Sequence, residues 1–163
     1  WLMETDAECG LTLDIIHEGI KTAFWEGRME ELRPNVYVDG AHNEDGIRAF
    51  LETAVSMKDA RQLLMFSAVA DKDYDTMIKE ICESGAFDEY VVCTVEYTRR
   101  AMPGSVFLDT FHKYTDKPVY LEETAGDALK RVLALRTADD RVFIAGSLYL
   151  VGEIKRIIGS YTD

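Results

Sequence analysis

Cysteine is scarce in this chain, and the three present carry no pattern. Cys9, Cys82 and Cys93 form an odd set with no C-x-x-C or other metal-ligand spacing. That argues against a disulfide framework and a cysteine-based metal site, and fits buried or incidental thiols in a reducing compartment. Positive charge is also in short supply: 18 lysines and arginines face 30 acidic residues, a net charge of -12. Nucleic acid and anionic membranes both require basic surface, so neither is an expected partner. The pairs Arg99-Arg100 and Lys130-Arg131 are too small to reverse that balance. No apolar run approaches the roughly 18 residues that a membrane-crossing helix needs. The opening residues, WLMETDAECG, have neither a basic segment nor an apolar one, so they are not read as a secretory signal. Nor does the sequence begin with methionine. The expectation is a cytoplasmic chain that is a piece of something longer. Two phosphate-binding signatures are missing as well, G-x-G-x-x-G and G-x-x-x-x-G-K-[ST]. No linker, repeat or low-complexity segment breaks the sequence.

What is present suits one packed domain. The chain has 163 residues, 47% of them hydrophobic, enough for a sizeable core. Leu13, Ile16, Ile20 and Ala23 recur at helical spacing over residues 11–24. GRMEEL then reads as a short strand, Arg33-Pro34-Asn35 as a turn, and residues 36–39 as a second strand pairing antiparallel with the first. Ile47, Phe50, Leu51 and Ala54 mark a helix, and the unbroken apolar run at 63–69 marks a strand covered on both faces. The alternation continues. Helix faces follow at Tyr74–Cys82 and Ser105–Tyr114, with strands YVVCTV and PVYL after them. Thr124 opens another helix, with Asp127 completing an aspartate variant of the capping box. RVFIAG is the last strand, and Leu150, Ile154, Ile157 and Ile158 line a final helix that Gly159 is expected to end. One hairpin followed by about five strand–helix alternations predicts a Rossmann-like, three-layer α/β/α domain. Its sheet should be mostly parallel, of about six strands, with one antiparallel edge strand.

In such sheets ligands bind outside the carboxyl ends of the strands. The polar corners of this sequence fall there: DGAHN (39–43), ADKD (70–73), EYTRRA (96–101) and Gly146-Ser147. Gly40 permits a tight turn or a close ligand approach. Asn43 is best read as a helix N-cap. His42 stands just before that cap, where a helix N-terminus favours anions, or else it is a structural or solvated loop histidine. Asp39 has three readings, as acceptor for ribose hydroxyls, as cation ligand, or as loop cap. DKD reads as a divalent-metal site or, by default, a solvated loop; Arg99-Arg100 as a grip on phosphate or carboxylate or, by default, a solvated loop or salt bridge; and His17 and His112 as structural. The residues show no nucleophile–base–orienter set and no metal cluster.

Five segments, in order, carry a resemblance: FWEGRMEEL, VYVDGAHNEDGIRAF, SAVADKDYDTMI, YVVCTVEYTRRAMP and VFIAGSLYLVGEIK. They resemble the carboxy-terminal domain of the folylpolyglutamate synthase family, often bifunctional with dihydrofolate synthase, within the Mur ligase superfamily. The likeness runs from about Phe24 to near the end of the chain. DGAHN together with GSLYLVGE is its most specific part. Glu26 and Glu44 stand where the family often has proline, at positions without chemistry.

That resemblance implies an ATP-dependent ligase. A folate γ-carboxylate, or dihydropteroate in the synthase reaction, becomes an acyl phosphate that the amine of L-glutamate attacks. It implies an amino-terminal ATPase domain carrying the phosphate loop, the Mg²⁺ ligands and most of the folate site. Residues 1–24 would then be a lead-in helix and connection, and residues 25–163 the Mur ligase-type carboxy-terminal domain, inactive alone. Position by position, it implies ATP contacts for Arg28 and Asp39, positioning or charge stabilisation near the transferred phosphoryl group for His42, and a glutamate contact for Ser147. Tyr149 is expected to pack. Two alternatives remain open: a Mur-type ligase for another amino acid, and a binding module that kept the fold without the chemistry.

Overall fold

The computed structural model describes residues 25–96 and 98–160, together with residues 12, 13, 15 and 19. The expected helix over 11–24, with His17, and Cys9 before it, lies outside the described residues apart from those four positions. Among the described residues a six-stranded sheet runs in the order β1-β2-β6-β3-β4-β5. Its strands are β1 (Glu30–Arg33), β2 (Val36–Val38), β3 (Gln62–Phe66), β4 (Glu89–Thr94), β5 (Val119–Thr124) and β6 (Arg141–Ala145). Five helices connect or follow them: α1 (Glu44–Ser56), α2 (Tyr74–Glu83), α3 (Gly104–Tyr114), α4 (Ala125–Leu135) and α5 (Leu148–Gly159). Only β1 is antiparallel, closing the expected hairpin on β2, with Asn35 at φ 62° in its turn. The other neighbours are parallel.

Strand periodicity divides the core into two layers. Leu64 and Phe66 of β3, Tyr90 and Val92 of β4, and Phe143 and Ala145 of β6 face α1, α2 and α3. The alternate residues Leu63, Met65, Val91, Cys93, Val142 and Ile144 face α4 and α5. Side chains two apart share a face of a strand, so an uninterrupted apolar run is what two covering layers demand. The helices present matching stripes: Ile47, Phe50, Leu51 and Ala54 on α1, and Leu150, Val151, Ile154 and Ile158 on α5. The aromatic part of the first layer interlocks, Phe66 meeting Phe107 and Phe111 edge-on at 5.6 and 5.8 Å between ring centroids.

Several details depart from the sequence expectation. Strand β3 stops at Phe66 rather than Val69, and the Ser67 hydroxyl that follows donates to the Cys93 carbonyl (2.7 Å). Gly159 does not terminate α5 by a left-handed turn; it is the last helical residue, and Ser160 caps the helix with α-region backbone. At α4 the Thr124 hydroxyl oxygen accepts from the Asp127 amide (3.0 Å) and donates to its carboxylate (2.9 Å), where the capping box would have the Thr124 amide donate to that carboxylate. His112, read as structural, is exposed in the last turn of α3. Cys82 and Cys93 are free thiols, pushed up by burial to about 11 and about 12, so both stay protonated and unreactive at neutral pH.

Candidate functional site

The carboxyl ends of β2, β3, β4 and β6 lie on one rim. After β2 and β3 the chain passes to the α1–α2 face; after β6, which stands between them, it passes to the α5 face. Divergence of neighbouring connections opens a crevice, and β6 has one on each side. The two ends of the sheet differ in how their charges are used. At the amino ends, Arg61 pairs with Glu89 (2.5 Å) and Asp140 (2.8 Å), Lys58 with Asp88 (3.3 Å), and Arg141 with Asp59. At the carboxyl ends, polar groups line two open concavities.

The first concavity, about 440 Å³, contains Arg28, Asp39 and Asn43. Asp39 is 5% exposed, and its carboxylate is largely occupied. Oδ2 accepts from the Met29 amide (2.9 Å); Oδ1 accepts from the Ala41 amide (2.8 Å) and from Arg28 Nη1 (3.4 Å). The Gly40 amide donates to the Gly27 carbonyl (2.6 Å), so residues 27–29 are stitched to the 39–41 corner. Met29 and Gly27 take positive φ, 41° and 69°, to make that turn. Gly40 is needed for space rather than conformation: a Cβ there would run into the Leu148 side chain and sit 3.3 Å from the Gly27 oxygen. The close approach is therefore by this chain's own α5. Asn43 is the expected N-cap, its Oδ1 accepting from the Gly46 amide at 2.8 Å.

The second concavity, about 380 Å³, is lined by His42, Lys72, Arg100, Ser147 and Tyr149 among others. His42 Nδ1 lies 2.7 Å from the Gly40 carbonyl. A carbonyl can only accept, so Nδ1 carries the hydrogen and Nε2 is left for the cavity. Ser147 is 1% exposed and caps α5, its Oγ accepting from the Tyr149 amide at 3.1 Å. Gly146 makes the preceding corner at φ 109°, its amide donating to the Ala41 carbonyl (3.0 Å), which ties the ends of β6 and β2 together. Arg100 pairs with Asp71 (2.8 Å) and donates to the Tyr149 hydroxyl (2.8 Å). Tyr149 is thus a wall of the cavity, 44% exposed, and not the packing residue expected from the sequence. The backbone of the two remaining loops is zipped, the Ala70 amide donating to the Arg100 carbonyl at 2.9 Å.

The four residues singled out from sequence are therefore brought to one rim but not to one point. Arg28 and Asp39 share the first concavity, His42 and Ser147 the second. Residues 27–148 match the model of the Mur ligase glutamate ligase domain. The chain belongs to the Mur ligase family. It is 29% identical over 147 residues to the dihydrofolate synthase/folylpolyglutamate synthase of Bacillus subtilis, covering 88% of this chain and 33% of that protein. The folylpolyglutamate synthase of Mycobacterium tuberculosis, solved with ADP, superposes with TM-score 0.80 at 25% identity, over 92% of this chain and 36% of that one. Escherichia coli FolC, solved with DHPP and ADP, has the same fold, with TM-score 0.82 at 20% identity over 94% of this chain and 36% of that one. The chain thus spans about a third of the length of each of these three relatives. Lys72 and Tyr149 were missed as cavity residues. Lys72 lies on a βα loop, as solvated residues do, and Tyr149 in the first turn of α5, so neither position has a signal of its own.

Proposed function

We propose that this chain is the carboxy-terminal domain of an ATP-dependent ligase that adds L-glutamate to folate, and to dihydropteroate where the parent carries both activities, through an acyl phosphate. Residues 1–24 then lead in from an amino-terminal ATPase domain, residues 25–163 form the second jaw, and the whole works in the cytoplasm. The observation that carries this reading is the pair of adjoining concavities on the rim of β6 in a Mur ligase fold, one edged by Arg28 and Asp39, the other by His42 and Ser147. No helix among the described residues is long and apolar enough to cross a membrane.

Arg28, half-exposed at the edge of its concavity, offers a guanidinium to nucleotide phosphate or adenine. Asp39 acts mainly through it, since three of its acceptor positions already hold Met29, Ala41 and Arg28. In the other concavity the start of α5, with the Ser147 hydroxyl, suits a carboxylate of glutamate. His42, fixed by Gly40, presents Nε2 where an incoming amine or a developing phosphoryl charge needs a partner. The family likeness also implies Mg²⁺. Among the described residues no three His, Cys, Asp or Glu side chains converge, and the Mg²⁺ ligands are assigned to the amino-terminal domain, so no step of this chain passes through the metal. With the folate site and phosphate loop assigned to the other domain, the isolated chain is inactive.

The test is steady-state kinetics of the full-length ligase. Arg28→Ala is expected to raise KM for ATP about tenfold, the loss of one charge-assisted contact, with KM for glutamate unchanged. Ser147→Ala should do the reverse. Unchanged kinetics in both variants, or full ligase rates from the isolated chain, would remove the proposal.

A further inference from the structure

The turn that presents Arg28 is strained, and α5 holds it from behind. Met29 takes φ 41° directly after Arg28, and Gly27 takes φ 69° directly before it. A methionine persists in that region only where its surroundings over-determine the backbone. Two ties run forward to the corner after β2, from the Gly40 amide to the Gly27 carbonyl (2.6 Å) and from the Met29 amide to Asp39 (2.9 Å). A third comes from the opposite side. Glu30 Oε2 accepts from the Gly27 amide at 2.7 Å, and the two oxygens of that carboxylate accept from Lys155 Nζ at 2.9 and 3.0 Å. The Glu30 side chain is 11% exposed, so the Lys155 ammonium is what allows a shielded carboxylate to stay charged and in place. Val151, one turn earlier on α5, packs beneath the same turn: a Cβ on Gly27 would sit 3.4 Å from its methyl carbon. Glu26 also approaches Lys155, at 3.5 Å, but from solvent, where an ion pair contributes little.

We infer that Lys155 is a positioning residue for the nucleotide: through Glu30 it holds the 27–30 turn, and with it Arg28, in the geometry that the first concavity requires. The inference rests on the reading of Arg28 as an ATP contact given above, and adds to it a residue that touches no substrate. Lys155 lies about two turns along α5 from the cap at Ser147. One helix therefore edges the second concavity with its first turn and braces the first concavity further on. Without the ammonium, the Glu30 carboxylate turns toward water, and the Gly27 amide loses its acceptor. The turn then relaxes out of its positive-φ geometry. Arg28 keeps its charge but loses its place, and a small misplacement of a binding group is enough to weaken what it binds.

In the full-length ligase, Lys155→Met is expected to raise KM for ATP about three- to tenfold, with the tenfold of Arg28→Ala as its ceiling because it acts through that residue. The kcat at saturating ATP and the KM for L-glutamate should stay within about twofold. A merely structural defect lowers the amount of active enzyme, and so kcat, without moving KM for one substrate alone. Lys155→Arg keeps the charge and the reach to Glu30, and should return the ATP KM to within about twofold of the parent. The double variant is decisive: added to Arg28→Ala, Lys155→Met should change the ATP KM by less than about twofold, since the residue it positions is gone. An ATP KM that moves less than about twofold in Lys155→Met alone overturns the inference, as does a full, independent rise on top of Arg28→Ala. If Arg28→Ala by itself leaves the ATP KM unchanged, the reading of Arg28 fails first and takes this inference with it.

Discussion

The Asp39 carboxylate is the joint on which the first concavity depends, and replacing it gives a quantitative test. In Asp39→Ala the amides of Met29 and Ala41 lose their acceptor beside a side chain that is 5% exposed, where water cannot readily replace it. A buried donor left unsatisfied costs about 1–3 kcal/mol, so two cost about 2–6 kcal/mol. The Arg28 contact, at 3.4 Å from a half-exposed guanidinium, adds at most about 1 kcal/mol. The expected loss is therefore about 2–7 kcal/mol, a fall in Tm of roughly 4–28 °C for a chain of this size. Asp39→Asn keeps one oxygen but turns an amide N–H toward the second donor, and should lose about half as much. Urea unfolding of the three proteins, followed by circular dichroism, reads the differences directly. A loss below about 1 kcal/mol for Asp39→Ala would refute the reasoning. The corner would then be held by Leu148 packing and the Gly27–Gly40 bond, with the carboxylate reserved for ligand.

Two further outcomes follow from the same rim. Gly146→Ala places a Cβ 2.5 Å from the Ser67 carbonyl oxygen and 2.6 Å from the Phe66 ring, at a φ of 109° that alanine resists. It should destabilise by about 2–5 kcal/mol in urea titration, and a loss under about 1 kcal/mol would show that the β6–α5 corner yields easily. Glu153, 8% exposed on α5, has its carboxyl pushed up by burial first and by the charge of Glu96 second, and its Oε2 has no partner among the described residues. An acid whose folded pKa is raised brings stability that is whole below its unfolded value of about 4.3 and is lost as pH rises through the folded one. Glu153→Gln should therefore melt higher than the parent at about pH 7, with the gap closing toward about pH 4. A gap independent of pH would sink that account.

The layers were legible in sequence because period alone decides them. Leu63 and Met65 against Leu64 and Phe66 announce a strand covered twice, and the stripe Ile47, Phe50, Leu51, Ala54 announces a helix. Strand order was not legible, since nothing in RVFIAG says that it inserts between β2 and β3. The site was half legible for the same reason. DGAHN and Gly146-Ser147 stand out as corners, but the stitching of Met29 to Asp39 joins residues ten apart through a backbone amide, which has no residue signature. Tyr149 follows apolar packing rules until Arg100, 49 residues away, captures its hydroxyl. Lys72 reads as a solvated lysine until the zipper between two loops makes it part of a wall.

The central place of β6 also has a consequence for how the molecule is made. Among the described residues β2 pairs with β1 and β6, and β3 with β4 and β6, so β6, which follows the other five strands in sequence, joins two pieces that have no ladder in common. Until residues 141–145 emerge, the nascent chain carries a hairpin and a three-stranded half-sheet, each with a bare edge open to other chains. A stop codon a few residues before β6 would not trim the protein. It would leave two unfinished halves competing for chaperones, and neither concavity would form.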